Sequence, residues 1–174
     1  MNLPNKLTLL RVLLIPLCVL LLYFGWMIPG AIVFAIAALT DFLDGYIARK
    51  NGLVTNFGKF ADPVADKILA VSLMIVLLDK GLYPWWALAI VAARELAVDG
   101  LRLVAVERGI VIPAGKLGKL KTNAQFLSLL LAMLSAPAWA TMTTVVVMSI
   151  LTIVSGIQYF RGAGAVLNDW KDPA

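Results

Sequence analysis

From Val12 to Thr40 the chain carries no charged residue over 29 positions. One helix of that length would be ~44 Å long, whereas the hydrocarbon core of a bilayer is ~30 Å thick. Gly25-Trp26-Met27-Ile28-Pro29-Gly30 interrupts the run with helix breakers and an aromatic residue of the interfacial type. The pattern therefore predicts two helices, about Leu7–Phe24 and Pro29–Arg49. Phe60–Leu78 is a third apolar stretch, with Asp62, Asp66 and Lys67 at its start. Asp79 to Trp86, which contains Gly81 and Pro84, reads as a turn at a membrane interface, and a fourth helix runs from Pro84 to about Glu107. Gly109, Pro113 and Gly115 mark Arg108–Gly118 as a loop. The last charge-free run, Thr122–Phe160, has 39 residues and is broken at Ala136-Pro137-Ala138-Trp139, giving two more helices. The prediction is an all-α integral membrane protein with six transmembrane helices. No internal repeat and no low-complexity segment stands out.

Composition agrees. Of 174 residues, 61% are hydrophobic and 14% charged, against roughly 45–50% and about 25% in soluble domains. A mean hydropathy of +0.92 excludes a water-soluble fold, and disorder, coiled coil and disulfide scaffold fail with it. We expect one membrane domain over residues 1–174. Met1–Gly25 is read as a retained first span and not a cleaved leader, because Arg11 lies inside the apolar stretch and no small-residue cleavage site follows. With six spans, both termini share a side with the second-to-third and fourth-to-fifth connections. That side collects 14 of the 15 Lys and Arg residues, and only Lys80 falls on the other. Both termini are thus expected in the cytoplasm, and no nucleic-acid partner is expected.

The chain has no histidine and a single cysteine, Cys18, so metal or acid–base chemistry must come from carboxylates. These cluster. Asp41 and Asp44 are three apart at the charged end of the second helix, and Asp62 and Asp66 are four apart at the start of the third. Each pair lies on one helical face, and the glycine-containing connection between them returns the chain so that the pairs can converge. Charge in a spanning helix is costly and usually marks function. A lone aspartate at a helix end is an ordinary cap or surface charge, but four at these spacings on consecutive helices are not scattered as caps would be. Converging carboxylates repel and call for cations. An all-oxygen site suits hard divalent ions, and paired metals are the usual device for phosphoryl displacement. A cation path is the alternative, but its polar groups should continue across the membrane. The other ends of all six helices carry no charge except Asp79 and Lys80.

Asp41, Asp44, Gly45, Ala48, Arg49, Gly58, Asp62 and Asp66 stand at all eight fixed positions of a 26-residue signature, and the chain resembles the CDP-alcohol phosphotransferases through it. The resemblance implies displacement of CMP from a CDP-linked lipid by a hydroxyl acceptor, with two Mg2+ or Mn2+ ions. By position, Asp41, Asp44, Asp62 and Asp66 would hold the metals, and Asp66 would also take the proton from the attacking hydroxyl. Gly45 would leave room for the nucleotide. Arg49 and Thr55 would contact the diphosphate, with Gly58 counted among the CDP contacts. Asn5 to Thr8 would help enclose the cytidine. The resemblance also implies a cytoplasm-facing cavity open sideways to membrane lipid, and a homodimer. Small residues on the fourth helix (Ala87, Ala89, Ala92, Ala93) are the only interface signal.

The acceptor must be read elsewhere. On the fourth helix Arg94 and Arg102 are eight apart on roughly one face, and Glu95, Asp99 and Arg102 can pair along a neighbouring one. Lys116, Lys119 and Lys121 open the fifth helix. Together these cations indicate an anionic acceptor carrying a phosphate, although basic residues beside a membrane also anchor to lipid headgroups. Asn2–Arg11, Asp62–Lys67, Ala93–Glu95 and Gly118–Thr122 are similar to the family branch that joins CDP-diacylglycerol to sn-glycerol 3-phosphate in the bacterial inner membrane. Asp99 and Gly100 depart from that likeness. An inositol phosphate acceptor is the nearest competitor, and a neutral acceptor such as serine or choline would leave the basic residues unexplained.

Overall fold

A computed structural model describes residues 3–50, 56–107, 110 and 115–164, with side chains described except at 3–5, 41–50, 56, 57, 59, 60 and 116. Within these residues the chain forms six α-helices and no strand: α1 Leu3–Tyr23, α2 Met27–Lys50, α3 Asn56–Asp79, α4 Trp85–Glu107, α5 Lys116–Met133 and α6 Ala138–Gly162. The order and number agree with the hydropathy pattern. α1 begins at Leu3 instead of about Leu7, α2 at Met27 instead of about Pro29 and α3 at Asn56 instead of Phe60, while α5 opens at Lys116 as expected. The reason is physical. Hydropathy marks the part of a helix that meets hydrocarbon, while the hydrogen-bond ladder continues into polar sequence where water and headgroups solvate the side chains.

Two described segments, Lys6–Tyr23 and Ala138–Gly162, are long and apolar enough to cross a bilayer, and Met27–Thr40 is a shorter apolar helix. Ionised residues interrupt the apolar length of α3 (Asp62, Asp66, Lys67), of α4 (Arg94, Glu95, Asp99, Arg102) and of α5 (Lys119, Lys121). Outward-facing Ile150, Ile153, Val154 and Ile157 leave α6 apolar on its exposed side, as a helix bathed in lipid requires.

The connections α1–α2, α3–α4 and α5–α6 begin with the same closing turn. Gly25 N donates to Leu22 O (2.9 Å) and Trp26 N to Leu21 O (2.8 Å) at the end of α1. Gly81 and Leu82 repeat this on Leu78 and Leu77 at the end of α3, and Ser135 and Ala136 repeat it on Ala132 and Leu131 at the end of α5. The turn needs a left-handed residue, which Gly25 (φ 84°) and Gly81 (φ 70°) adopt without penalty and Ser135 (φ 52°) adopts with some strain. Orphan carbonyls at the helix ends are thereby satisfied, which matters most where water is scarce.

The chain forms two compact units, Met1–Tyr83 with Leu129–Pro137, and Pro84–Ser128 with Ala138–Ala174. In the first, α1 packs against both α2 and α3. Its core includes Ile15, Cys18 and Leu22 of α1, Ala31, Phe34 and Ala37 of α2, and Leu69, Leu73 and Leu77 of α3, at three- and four-residue steps. Lys80 Nζ donates to Tyr23 O at 3.1 Å. The cation that breaks the charge asymmetry therefore caps the negative end of α1. In the second unit α4 packs on α6, where Val98, Leu101 and Ala105 bury against Tyr159 and Ala163. Ala87 is fully buried within the chain, so it is not part of an outward small-residue face.

At Gly30 the helices α1 and α2 approach closely: a Cβ there would lie 2.5 Å from Leu22 Cδ2. Leu22 is itself fully buried and has nowhere to move. Gly30→Val is expected to destabilise the protein by about 1–3 kcal/mol through overpacking, read as a lowered thermal midpoint in detergent micelles, with Gly100→Ala, which meets open space, as the neutral control.

Candidate active site

Asp62 and Asp66 are one turn apart on α3 and share a face. Thr8 and Arg11 stand one turn apart on α1. The packing of α1 on α3 brings these faces into register. Thr8 Oγ1 donates to Asp62 Oδ1 at 2.6 Å, and Arg11 Nη1 donates to Asp66 Oδ1 at 3.0 Å. Two rungs thus tie α1 to α3, each formed by residues a helical turn from the next. The Arg11 side chain is 0% exposed and that of Asp66 29% exposed. Pro63 lies between the two aspartates and deletes one ladder hydrogen bond of α3 at this level.

The pairing of Arg11 with Asp66 was not among the sequence expectations, where Arg11 is a cytoplasmic-side charge inside the first apolar stretch. The signal was present: a cation among leucines and valines needs a carboxylate. Thr8, which the family resemblance places beside the cytidine, has its hydroxyl on Asp62. Asp41, Asp44, Gly45 and Arg49 fall on the helical backbone of the last turns of α2, with Asp41 and Asp44 on one face, while their side chains lie outside the described residues. The side chains of Asn5 and Lys116 and the whole of Thr55 also lie outside them, and Gly58 sits partly buried in the first turn of α3.

Among the described residues no three His, Cys, Asp or Glu side chains come together. The described donors, Asp62 and Asp66, fit a hard divalent cation such as Mg2+ or Mn2+. They are oxygen-only, consecutive on one helix face, and face no competition from histidine. A carboxylate has about four acceptor positions, so the Thr8 bond leaves Asp62 able to serve as a ligand.

The second unit holds the basic residues expected at the acceptor. Glu95 accepts from Arg94 Nη1 at 3.1 Å and from Lys121 Nζ at 2.7 Å. The three side chains are 15%, 14% and 5% exposed for Arg94, Glu95 and Lys121. The lysines of α5 do not act as one group: Lys121 turns inward to Glu95, whereas Lys119, two positions earlier and so on the other side of the helix, is exposed. Arg94 and Arg102 engage different partners. Arg102 Nε donates to Tyr159 Oη at 2.6 Å, with the guanidinium 5.1 Å from the ring centroid. Sequence reasoning did not include Tyr159.

Arg94 reaches an apolar groove of about 650 Å³ between α4 and α6, walled by Ile90, Ala93, Ile153 and Ile157, with Arg161 as its second cation. A Cβ at Gly156 would meet Arg94 Cγ at 3.3 Å, so the missing side chain there makes room for the arginine. Arg94 Nε is buried and has no hydrogen-bond partner among the described residues. A buried guanidinium donor left this way marks a place where an acceptor group fits.

Six apolar helices, with Asp62 and Asp66 sharing one face of α3 and held there from α1, are the arrangement of a membrane-embedded protein with a polar site. The CDP-alcohol phosphatidyltransferase family model matches residues 1–154, and the chain belongs to this family of membrane-integral, metal-dependent transferases. The chain is similar to the CDP-diacylglycerol–glycerol-3-phosphate 3-phosphatidyltransferase of Bacillus subtilis, with 42% identity covering 91% of this chain and 93% of that one. It is 41% identical to a probable phosphatidylglycerophosphate synthase of Mycobacterium tuberculosis, covering 93% and 81% of the two chains. It is also 39% identical to the CDP-diacylglycerol–glycerol-3-phosphate 3-phosphatidyltransferase of Rickettsia typhi, covering 92% and 96%.

Glu95→Gln would remove the carboxylate charge that Arg94 and Lys121, both largely buried, share. We expect it to cost about 3–5 kcal/mol, seen as a lowered thermal midpoint. Adding Lys121→Met should restore much of the loss, because the excess buried cation goes with it.

Proposed function

We propose that this chain transfers the phosphatidyl group of CDP-diacylglycerol to sn-glycerol 3-phosphate, releasing CMP and forming phosphatidylglycerophosphate. The carrying observation is the pair of rungs that orient Asp62 and Asp66, set within the complete family signature. Relatives aligned over more than nine-tenths of this chain are named for transfer to glycerol 3-phosphate, which supports this acceptor.

Asp41, Asp44, Asp62 and Asp66 are assigned to two Mg2+ or Mn2+ ions, which when bound supply charge neutralisation to the diphosphate and the departing CMP. A carboxylate oxygen of Asp66 takes the proton of the acceptor hydroxyl as that oxygen attacks the phosphorus bearing the diacylglycerol. The bond from this phosphorus to the CMP oxygen breaks in the same displacement. Asn5, Thr8, Gly45, Arg49, Thr55 and Gly58 are assigned to the CDP moiety. Thr8 does so beside its bond to Asp62, which fixes that carboxylate.

Of the cations expected at the acceptor phosphate, Arg94 and Lys121, which share Glu95, are assigned to it together with Lys116, whereas Arg102 is engaged by Tyr159 and Lys119 faces outward. The buried donor of Arg94 favours an anion there. Glu95 holds Arg94 and Lys121 in place without cancelling both charges, so a phosphate meets oriented cations. We read residues 1–174 as one transferase domain. It lies in the bacterial inner membrane as a homodimer with both termini cytoplasmic and the polar cavity facing that side.

The test is CMP release by purified protein from CDP-diacylglycerol with Mg2+, offering glycerol 3-phosphate, inositol phosphate and serine in parallel. Release is expected with glycerol 3-phosphate alone and should disappear on chelation with EDTA; release with another acceptor would keep the reaction and overturn the acceptor. Asp66→Asn should abolish turnover in protein that still purifies folded. Arg94→Ala should raise the KM for glycerol 3-phosphate about tenfold or more, as loss of a charged hydrogen bond of ~1.5–3 kcal/mol requires, with a much smaller effect on CDP-diacylglycerol. Equal effects on both substrates would make Arg94 a structural ion-pair partner.

A further inference from the structure

The Arg11–Asp66 pair is unlike the Glu95 contacts with Arg94 and Lys121, because its cation has no exposed surface at all. A fully buried arginine touches neither headgroups nor water, so membrane anchoring does not explain it. Stability alone does not explain it either, since an apolar residue of similar volume commonly packs as well or better than a buried pair. What the guanidinium does supply is a fixed positive charge and directed donors 3.0 Å from one carboxylate of the signature.

Resting on the assignment of Asp66 to the metal-binding set, we propose that Arg11 is the resident countercharge of that set. It is a positioning residue that neutralises and aims the Asp66 carboxylate before a divalent cation arrives and shares that carboxylate afterwards. Four signature aspartates without metal repel one another, and in surroundings of low dielectric the repulsion is large. Arg11 offsets part of it from a helix, α1, that carries no signature residue. The placement follows from helical geometry. Thr8 and Arg11 are one turn apart and meet Asp62 and Asp66, also one turn apart, so α1 acts as a template against which both α3 carboxylates are set. Arginine suits the role because its planar fork fixes direction as well as charge, and a lysine supplies charge alone.

The test uses the full-length protein in detergent micelles. Thermal midpoints are measured in EDTA and in saturating Mn2+, and CMP release from CDP-diacylglycerol and glycerol 3-phosphate is followed in parallel. For Arg11→Met the metal-free midpoint should fall further than the Mn2+-loaded one, so the Mn2+-induced rise widens. Its kcat should fall about 10–100-fold, the usual effect of removing a partner of a metal ligand, with the KM for CDP-diacylglycerol little changed. Arg11→Lys should recover most of the metal-free midpoint but not the turnover. Should Arg11→Met fail to fold, the pair variant Arg11→Met/Asp66→Asn carries the test. Its recovery of folded protein in EDTA supports the countercharge, and its failure to fold overturns it.

Equal losses of midpoint in EDTA and Mn2+, with parental turnover of the folded fraction, would reduce the pair to packing and overturn the inference alone. A narrowed Mn2+-induced rise would overturn it too, since Arg11 would then strengthen metal binding instead of standing in for it. A parent protein showing neither an Mn2+-induced rise nor Mn2+-dependent CMP release would overturn the assignment of Asp66 to metal, and this inference with it.

Discussion

Charge is kept inside a bilayer only where an opposite charge or a set of directed dipoles meets it, and much of this protein follows from that constraint. Arg11 is buried completely and rests on Asp66, and Lys121 is nearly as buried and rests on Glu95. Neither pair is a surface ion pair of small consequence. In each, removing one partner takes a close countercharge from an ion in surroundings of low dielectric. The pairs therefore constrain which helix faces can meet. In the first unit the apolar ridge of Ile15, Cys18 and Leu22 sets α1 broadly against its neighbours, and the Thr8 and Arg11 rungs fix its rotation relative to α3. Apolar packing alone tolerates a shift along the helix, whereas a hydrogen bond of 2.6 Å does not.

The two kinds of helix end have been given different work. At the ends where α1, α3 and α5 turn into the next helix, backbone groups satisfy one another in a compact left-handed turn, and only Asp79 and Lys80 are charged. At the opposite ends the helices run on past the apolar segment into residues that ionise. This division explains why a chain of such high hydropathy can carry out ionic chemistry. The apolar lengths hold the protein in lipid, where a diacylglycerol substrate also resides. The reacting groups are mounted on rigid helix and not on loops, and a rigid mount favours the close placement that phosphoryl displacement requires.

Glycine serves packing at two places that bear on this arrangement. Gly30 lets α2 lie against Leu22 of α1, and Gly156 lets Arg94 pass along α6. The first belongs to an apolar contact, where a Cβ would overlap Leu22, and the second to an ionic one, where a Cβ would press on the Arg94 stem.

Helix number and order, the membrane environment and the reaction class were legible in the sequence, because they depend on local and periodic properties. The length of a charge-free run is set against bilayer thickness, breakers at Gly25, Gly81 and Pro137 end helices by backbone sterics, and carboxylates three and four residues apart share a face whatever surrounds them. Helix starts at Leu3 and Asn56 were not legible, since hydropathy reports solvent and not the backbone ladder. Nor were the partners. Only the packing of α1 on α3 turned Arg11 from one cytoplasmic charge among many into the companion of Asp66. Only the rotation of α5 separated Lys121 from Lys119, and only the approach of α6 to α4 gave Arg102 a tyrosine. These contacts join residues 26 to 57 positions apart. Which of several chemically suitable partners is met is decided by three-dimensional packing and not by any pattern along the chain.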